Sequence, residues 1–196
     1  MLLADIADRF ALHRVQSPED VARWETPFAH AYQAVFSGEP YFESFSLDRA
    51  AGVFRMLTGL PEHITLLAID GKQQIAGFGI AVPLRTMDTI APRLDGLVPV
   101  RQTYYLAELG VCPEARGLGV GRNLVRHRIR LMDRERYSHV VLRVADVHSS
   151  SAAMYQAMDF EDMGVSMSVT RERMDGEHRA DERHFLCRLL SQVDVE

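Results

Sequence analysis

The sequence predicts a mixed α/β domain in which one β-sheet is covered by helices. Three observations predict it: β-rich segments alternate with helical ones, Asp70-Gly71 is a tight hairpin signal, and a glycine-rich turn at 116–121 joins a strand to a helix. The predicted order is β-α-α-β-β-β-α-β-α-β-β. At 196 residues, 47% of them hydrophobic, the chain is long enough to bury one core, and we expect a single domain over residues 1–196.

The first part of the chain predicts one strand and two helices. Residues 10–16 alternate as a half-buried strand does. The run Ser17-Pro18-Glu19-Asp20 then predicts a helix start, with a hydroxyl cap, a proline in the first turn and acidic residues at the positive end of the dipole. The segment 37–40 ends this helix, and a second one is predicted from about 47 to 57 after the cap Ser46. The first helix buries an apolar stripe at spacings of three and four: Val21, Trp24, Phe28, Tyr32 and Phe36.

The middle of the chain predicts a hairpin, a long connection and a strand that enters a helix. Residues 64–70 and 75–82 are the hairpin strands. The connection 83–102 contains three prolines and no clear period, so it is either a functional loop or a solvated hairpin tip. The next strand breaks at Pro113, and the helix that follows, from about 119 to 134, is expected to bury Leu124, Ile129 and Leu131 and to expose its arginines.

The last part of the chain predicts three strands and one helix. Residues 139–144 are β-rich and residues 149–158 form a short helix. Residues 160–169 and 184–190 are strands, and the charged segment 171–183 separates them.

Composition limits the functional classes. A net charge of −5 argues against non-specific nucleic-acid binding, which requires a basic face, and suits a cationic small molecule. Two cysteines make no disulfide framework, which favours a cytoplasmic location. No apolar run approaches the roughly 20 residues that span a bilayer, so we expect no membrane partner. The excess of arginine and alanine is typical of a GC-rich bacterial genome, and a homodimer through sheet edges or apolar faces is left open.

The glycine-rich turn predicts a phosphate site. A turn of this kind that leads into a helix leaves several backbone N–H groups unpaired at the positive end of the helix dipole, which suits a pyrophosphate. The dinucleotide fingerprint is excluded because Arg122 stands where its last glycine would be, and a Walker A loop is excluded because the only lysine is Lys72.

Two motifs together resemble a known family. Arg116-Gly117-x-Gly119-x-Gly121, preceded by Leu109-Gly110-Val111-Cys112-Pro113, resembles the acetyl-coenzyme A motif of the GNAT superfamily of N-acetyltransferases. A second landmark of that superfamily, Asn-x-x-Ala, then Leu-Tyr, then Gly-Phe, is matched in register by Tyr155 and Phe160. Met154 stands in place of leucine, His148 in place of asparagine and Asp159 in place of glycine. The resemblance covers about residues 10–190.

The resemblance implies a fold, a cosubstrate and its binding residues. The fold is a three-layer αβα arrangement, in which a mixed, mostly antiparallel sheet of about seven strands is flanked by about four helices. The cosubstrate is acetyl-CoA, with no metal, and the activity is direct transfer of its acetyl group to an amine. A bulge near Gly110 and Pro113 is expected to redirect a backbone donor. The expected acetyl-CoA contacts are Leu109, Val111, Arg116, Gly117, Leu118, Gly119, Val120, Gly121, Arg122 and His148; Arg116, Arg122 and His148 are alternatively solvated.

The resemblance also implies catalytic roles. Tyr155 is the candidate general acid beside the sulfur, although its spacing alone equally fits a core residue. Glu108 is the candidate general base, acting directly or through water. Cys112 is discounted as an acyl-carrying nucleophile because no partner base is identifiable. A transferase for a longer acyl-CoA and a non-catalytic CoA-binding regulator are the alternative functions.

The acceptor pocket is expected at the connection between the first two helices. Its carboxylates and aromatic residues, represented by Glu39, Tyr41 and Glu43, predict a small cationic amine as the acceptor. The alternative is that Tyr41, Phe42 and Phe45 only fill the core beneath a loop. Aminoglycosides, polyamines, amino-acid derivatives and protein N-termini are all left open.

Overall fold

One sheet runs through the computed structural model, which describes residues 2–6, 9–39 and 41–190 and, of residues 2–6, the backbone alone. Its eight described strands lie in the order β1-β2-β3-β4-β5-β6-β8-β7, and every neighbouring pair is antiparallel except β5 and β6. The mixed, mostly antiparallel sheet is therefore confirmed. The strands are β1 (Leu2–Ile6), β2 (Phe10–Val15), β3 (Ile64–Asp70), β4 (Ile75–Pro83), β5 (Thr103–Val111), β6 (His139–Val144), β7 (Glu161–Glu172) and β8 (His178–Leu189).

Two strand predictions need correction. The edge strand β1 was not predicted, because a five-residue strand is too short to show a period. The charged segment 171–183, predicted as a connection, belongs mostly to β7 and β8, which pair from Ser166↔His184 to Glu172↔His178. Most side chains in this part of the hairpin are at least partly exposed, so both strand faces carry charges and no apolar alternation marks the strands.

The helices α1 and α2 begin where their capping residues predicted. The described helices are α1 (Pro18–Phe36), α2 (Leu47–Thr58), α3 (Ala91–Leu94), which was not predicted, α4 (Val120–Arg130) and α5 (Ser150–Gln156). A capping box of Ser17 and Asp20 starts α1, and the Ser46 hydroxyl accepts from the Arg49 amide at the start of α2. The helix α1 ends at Phe36, before the predicted stop; of that stop, Pro40 lies outside the described residues. The connection 83–102 contains α3 and two short 3₁₀ turns, and it buries Leu84 and Leu94.

Helices cover both faces of the sheet, as the three-layer prediction requires. On one face α1 and α2 pack on the central strands through Phe28 and Phe54, whose rings stack at 4.5 Å. On the other face α4 and α5 pack through Leu124 and Tyr155. The strands β3 and β4 are buried on both faces and form the centre of the sheet, next to β5.

One prediction about α4 is wrong. Its arginines were expected on the solvent-facing side, yet Arg128 is fully buried against the sheet, while Leu131 is only half-buried. The Arg128 side chain donates to the carbonyls of Leu124, Ile80 and Glu108 at 3.1, 3.0 and 2.9 Å. A buried guanidinium that satisfies backbone carbonyls fits where an aliphatic residue would ordinarily pack. No helix among the described residues is both long enough and apolar enough to cross a membrane.

Candidate functional site: a groove between two diverging strands

A groove opens where the parallel strands β5 and β6 separate. The two strands pair only from Thr103↔His139 to Leu106↔Leu142, so the remainder of β5 has no partner on the β6 side. A cavity of about 610 Å³ fills the opening. It is lined by both strands, by the glycine-rich turn and by the start of α5.

The amides of Leu109 and Val111 point into this groove. On the other side of β5, the Cys112 amide donates to the Ala76 carbonyl of β4 at 2.9 Å. Backbone donors alternate in direction along a strand, so Leu109 and Val111, at odd spacing from Cys112, direct theirs away from β4. An extended ligand in the groove therefore meets the free edge of a strand.

The predicted bulge exists, but it lies elsewhere in β5. The pairing with β4 shifts between Ile80↔Glu108 and Ala81↔Leu106, which leaves Ala107 as the extra residue. Gly110 pairs regularly with Phe78, and it is needed for a different reason: a Cβ at Gly110 would lie 2.2 Å from the Phe78 ring. Arg128 donates to the carbonyls of both Ile80 and Glu108 and so holds the two strands together at the bulge.

The glycine-rich turn presents unpaired amides at the other end of the groove. After a 3₁₀ turn at Pro113–Ala115, Gly117 and Gly119 adopt φ angles of +76° and +79°, which favour glycine. Gly119 is the N-cap of α4 and supplies no side-chain hydrogen bond to the first turn. The first amides of α4 are thus free to bind an anion, and the helix dipole favours one there.

Most of the predicted acetyl-CoA contacts line the cavity. The set comprises Leu109, Val111, Arg116, Gly117, Gly119, Val120, Gly121 and Arg122. Leu118 is exposed at the tip of the turn and is not among the lining residues. His148 is exposed and lies on an adjoining surface pocket with Gln156 and Asp162. The next residues, Ser149, Ser150 and Ser151, line the main cavity. Sequence reasoning missed them, although they directly follow His148, which occupies the first position of the second family motif.

Tyr155 reaches the cavity from α5. Its side chain is 6% exposed, and burial raises the pKa of Tyr155 to about 12. The nearby positive charge of Arg128 acts in the opposite direction and lowers that pKa. The phenol is therefore a neutral proton donor at ordinary pH, with a fixed cation beside it that favours the phenolate. Sequence reasoning missed Arg128 because its neighbours on α4 are exposed arginines.

Glu108 reaches the cavity from β5. Burial raises the pKa of Glu108 to about 7, and the nearby cations Arg171 and Arg143 oppose that rise without cancelling it. The Tyr32 hydroxyl on α1 donates to its Oε2 at 3.4 Å. A carboxylate with a pKa near neutrality is suited to accept a proton from an amine at physiological pH.

Cys112 is arranged as a structural residue. Its thiol is buried and donates to the Ile75 carbonyl at 3.2 Å. Burial raises the pKa of Cys112 to about 11, so the thiolate needed for nucleophilic attack is scarce. Cys112 is also absent from the cavity lining, which agrees with its exclusion as an acyl carrier.

The α1–α2 connection does not place its carboxylates on the cavity. Tyr41 lines the cavity, but Glu39 and Glu43 do not. Glu39 is exposed, and its carbonyl accepts from Arg116 Nη1 at 3.2 Å. Glu43 is 2% exposed and paired with Arg171 at 2.6 Å and Arg183 at 3.3 Å. The two carboxylates that predicted a cationic acceptor therefore do not face the cavity. Of the aromatic residues, Phe45 is buried in the core and Phe42 is 49% exposed.

A family model decides the class of this site. The model described as the acetyltransferase (GNAT) family matches residues 19–160, which is more than half of the chain. The chain belongs to the GNAT acetyltransferase family. It is accordingly an acyltransferase, and acetyl-CoA is the cosubstrate of its family.

Solved GNAT structures share the fold across nearly the whole chain. A phosphinothricin acetyltransferase from Sinorhizobium meliloti, solved with acetyl-CoA, has a TM-score of 0.65 at 18% identity and covers 94% of this chain and 90% of its own. The ribosomal-protein-S18-alanine N-acetyltransferase of Escherichia coli has a TM-score of 0.64 at 15% identity and covers 93% of this chain and 95% of its own. The structure of yncA of Salmonella typhimurium, with its cofactor acetyl-CoA, has a TM-score of 0.61 at 16% identity and covers 93% of this chain and 95% of its own. A search of the curated proteins finds no significant match.

The residues of the GNAT groove fit acetyl-CoA. The free edge of β5 suits an extended amide-bearing arm, and the uncapped start of α4 suits a pyrophosphate. Arg116 and Arg122 at the same end add positive charge. Within the described residues, no group of three or more histidine, cysteine, aspartate or glutamate side chains is placed to hold a metal ion.

Proposed function

We propose that this GNAT protein transfers the acetyl group of acetyl-CoA directly to the amine of a small acceptor, with both substrates bound at once. The observation that carries the proposal is that Glu108, with a pKa near 7, and Tyr155, with a pKa near 12, line the same cavity as the glycine-rich turn. Pairs of titratable groups with separated pKa values are typical of an acid and a base that share one reaction.

The donor would be held at two places. The amides from Gly117 to Arg122 would bind the pyrophosphate, and the free edge of β5 would pair with the pantetheine arm. Bound in this way, acetyl-CoA supplies an activated acetyl group. The Val111 amide, which points into the groove, would donate to the thioester oxygen, and one such donor is typically worth roughly 10²–10³ in rate.

The two proton transfers would be divided between the two faces of the sheet. Glu108 accepts the ammonium proton, directly or through water, because its ionised fraction is substantial near pH 7. Tyr155 protonates the departing sulfur, because burial keeps its hydroxyl protonated until that moment. The adjacent Arg128 would stabilise the phenolate that the donation leaves behind.

The side of the cavity that is formed by the α1–α2 connection and the β7–β8 hairpin is called the acceptor side. A small acceptor is favoured because these two segments close that side. The α1–α2 connection is joined to the β7–β8 hairpin by the Ser44 amide on the Glu172 carbonyl and by the Met174 amide on the Phe42 carbonyl. Among structural neighbours, one acts on phosphinothricin and another on a ribosomal protein, so the fold alone does not select the acceptor. The two cysteines are free thiols, which is consistent with a cytoplasmic enzyme.

Binding of acetyl-CoA is the first test. At 100 times its Kd, a ligand stabilises the folded state by about 2.7 kcal/mol, which raises the Tm of a chain of this length by roughly 5–10 °C. We expect that shift with acetyl-CoA and a smaller one with longer acyl-CoA thioesters; the reverse order would favour the longer-chain transferase. No shift with any acyl-CoA would contradict the proposal.

The variant Tyr155→Phe tests whether the bound donor reacts as proposed. We expect kcat to fall at least about tenfold, because a general acid is typically worth roughly 10²–10⁴ in rate, while the acetyl-CoA Kd changes less than about twofold. Tyr104→Phe is the matched control, since its buried hydroxyl donates to the Glu62 carbonyl at 2.8 Å, away from the cavity lining. Release of the CoA thiol reports kcat, and an unchanged kcat would remove Tyr155 from the mechanism.

A further inference from the structure

Three arginines line the acceptor side of the cavity. They come from three different strands: Arg143 from β6, Arg171 from β7 and Arg183 from β8. We call them the arginine cluster. Arg143 follows Leu142, the last β6 residue that pairs with β5, so it lies at the point where the groove opens. Arg171 and Arg183 are close enough for the charge of Arg171 to lower the pKa of Arg183, after the larger effect of burial.

The carboxylates beside the cluster do not balance it. Glu43 faces both Arg171 and Arg183 and neutralises one of them. Asp181 also contacts Arg183, at 3.5 Å, but it is shared with Arg173, which it contacts at 2.5 Å. Arg143 makes no ion pair with a carboxylate in the described part of the chain; its Nε donates to the Tyr105 hydroxyl at 2.6 Å and its Nη1 contacts Met167 Sδ at 3.0 Å. Glu108 acts on the cluster as well, but with a pKa of about 7 it is only partly ionised at neutral pH. The three arginines therefore outweigh Glu43, the shared Asp181 and the partly ionised Glu108, which leaves a surplus positive charge of about one on the acceptor side.

A surplus of this kind, screened from bulk water, requires a counter-ion. Arg183 is 8% exposed, Arg143 and Arg171 are half-buried, and an unpaired charge is costly in such surroundings. Guanidinium groups match carboxylate and phosphonate oxygens bidentately, and a walled cavity strengthens the contact. A polycationic acceptor would meet repulsion here, so the sign of the charge is opposite to the one that the sequence predicted.

We infer that the acceptor is a small amine that also carries an anionic group, a carboxylate or a phosphonate, which the arginine cluster binds while the amine faces Glu108. The inference rests on the proposed function. In the reaction the neutral amine nitrogen bonds to the thioester carbonyl carbon as the carbon–sulfur bond breaks. The ammonium proton goes first to Glu108, which later releases it to solvent. The thiolate takes its proton from Tyr155, and the second nitrogen proton, which is lost as the amide forms, restores the Tyr155 hydroxyl. The net products are the N-acetylated acid, free CoA thiol and one proton.

Matched acceptors test the inference directly. Thiol release is measured with L-amino acids, with the corresponding L-amino acid amides, with aminoalkylphosphonates and with spermidine. We expect turnover with at least one acid or phosphonate, at a kcat/KM roughly 10–100-fold above that of its uncharged counterpart, since the charged hydrogen bonds are lost in the amide. Spermidine or amides that react as well as the acids would overturn the inference.

The variant Arg143→Gln assigns the effect to the cluster. We expect the ratio of kcat/KM for the acid to that for its amide to fall roughly 10–100-fold, and Arg143→Lys to restore part of it. The ratio is informative because any effect of Arg143 on Glu108 acts on both acceptors equally. Arg179→Gln is the matched control, since Arg179 lies near the exposed tip of the β7–β8 hairpin, paired with Asp175 and Glu177, and we expect its ratio to be unchanged.

Binding measurements separate this inference from the proposed function. Acetyl-CoA must stabilise the wild-type protein and Arg143→Gln alike, because Arg143 lies at the acceptor side. With acetyl-CoA bound, aminomethylphosphonate is expected to add a further rise in Tm in the wild-type protein and a smaller one in Arg143→Gln. Loss of acetyl-CoA binding in the wild type would defeat the proposed function. Normal acetyl-CoA binding, with neither turnover of any acid nor an anion-induced shift, would overturn the acceptor class alone.

Discussion

The carboxyl group of Glu108 is acted on by two arginines and by the Tyr32 hydroxyl, and burial outweighs all three. Burial raises its pKa and Glu43 adds to the rise, while Arg171, Arg143 and the hydrogen bond from Tyr32 lower it; the result is a pKa of about 7. The position of Glu108 just before the cofactor-binding segment could be seen in the sequence. Its pKa could not, because all four neighbouring groups come from elsewhere in the chain.

The pH dependence of catalysis follows from that pKa. Glu108 can accept a proton only when ionised, so we expect kcat/KM to fall about tenfold for each pH unit below about 7. Glu108→Gln should lose at least about tenfold in rate and should no longer show that acidic limb. Initial rates of thiol release between about pH 5.5 and 9 measure both. An acidic limb that survives in Glu108→Gln would transfer the base role to another group or to water.

The raised pKa of Glu108 also affects stability, in the direction opposite to its effect on catalysis: activity rises with pH, whereas stability falls. The folded state binds the Glu108 proton more tightly than the unfolded state, whose pKa is near 4.5. The stabilising contribution of the protonated form is therefore present below pH 4.5 and is lost as the pH rises through about 7. Glu108→Gln should consequently gain stability relative to the wild-type protein across that range, as urea unfolding at several pH values would show. A catalytic loss that accompanies a gain in stability separates chemistry from misfolding.

At the scale of secondary structure, the sequence predicted what local chemistry determines. The hydroxyl caps Ser17 and Ser46 located the starts of α1 and α2, and Asp70-Gly71 located the β3–β4 hairpin. The prediction failed where an element is stabilised by contacts with other segments of the chain. The charged strands β7 and β8 are held in place by their pairing with each other and by ion pairs such as Arg173–Asp181. Neither interaction produces an apolar period in the sequence, so these strands could not be predicted from one.

The position of Gly110 in β5 gives a prediction of this scale. A Cβ there would overlap the Phe78 ring, which is fully buried and packs against Phe28 at 4.7 Å, so the ring cannot move aside. We expect Gly110→Ala to destabilise the fold by about 1–3 kcal/mol and to weaken acetyl-CoA binding, because β5 must shift. Urea unfolding and acetyl-CoA titration measure the two effects.

The control for that substitution has the opposite expected sign. Gly52 lies within α2, and a Cβ there would meet no atom within 4 Å other than its chain neighbours and the adjacent backbone of α2 itself. Because alanine is the better helix former, Gly52→Ala should stabilise the fold by about 0.5–1 kcal/mol and leave acetyl-CoA binding unchanged. If Gly110→Ala were as stable as Gly52→Ala, the proposed steric coupling between Phe78 and the cofactor strand would be wrong.

Across the whole molecule, the site depends on residues that are distant in sequence. The glycine-rich turn is local, and its motif predicted the donor end of the groove. The acceptor end assembles Tyr41, Glu108, Arg143, Arg171 and Arg183 from the α1–α2 connection and from four strands. The carboxylates of the connection were visible in the sequence, but the pairing of Glu43 with Arg171 and Arg183, which lie 128 and 140 positions further along the chain, was not. The sign of the charge on the acceptor side depends on that pairing.

Glu43 joins the α1–α2 connection to strands β7 and β8 through its ion pairs with Arg171 and Arg183. Its carboxylate is 2% exposed, and without it only Asp181, which is shared with Arg173, would offset the repulsion between Arg171 and Arg183. Removing one partner of a buried ion pair typically costs 3–5 kcal/mol, so we expect Glu43→Ala to lower the free energy of unfolding by about that amount. Glu43→Gln should lower it less, since the amide oxygen can still accept from the arginines.

A solvent-exposed ion pair with the same distance between its charged atoms is the control for Glu43→Ala. Glu25 and Arg55 join α1 to α2 at 2.6 Å, the same distance as Glu43 and Arg171, but both side chains reach solvent. A solvated pair contributes about 0–1 kcal/mol, so Glu25→Ala should change urea unfolding little. Equal effects of Glu25→Ala and Glu43→Ala would mean that burial of Glu43 does not matter. A loss of stability in Glu43→Ala alone would establish that the buried Glu43 carboxylate stabilises the wall of the acceptor side, although it does not line the cavity and so does not contact the acceptor.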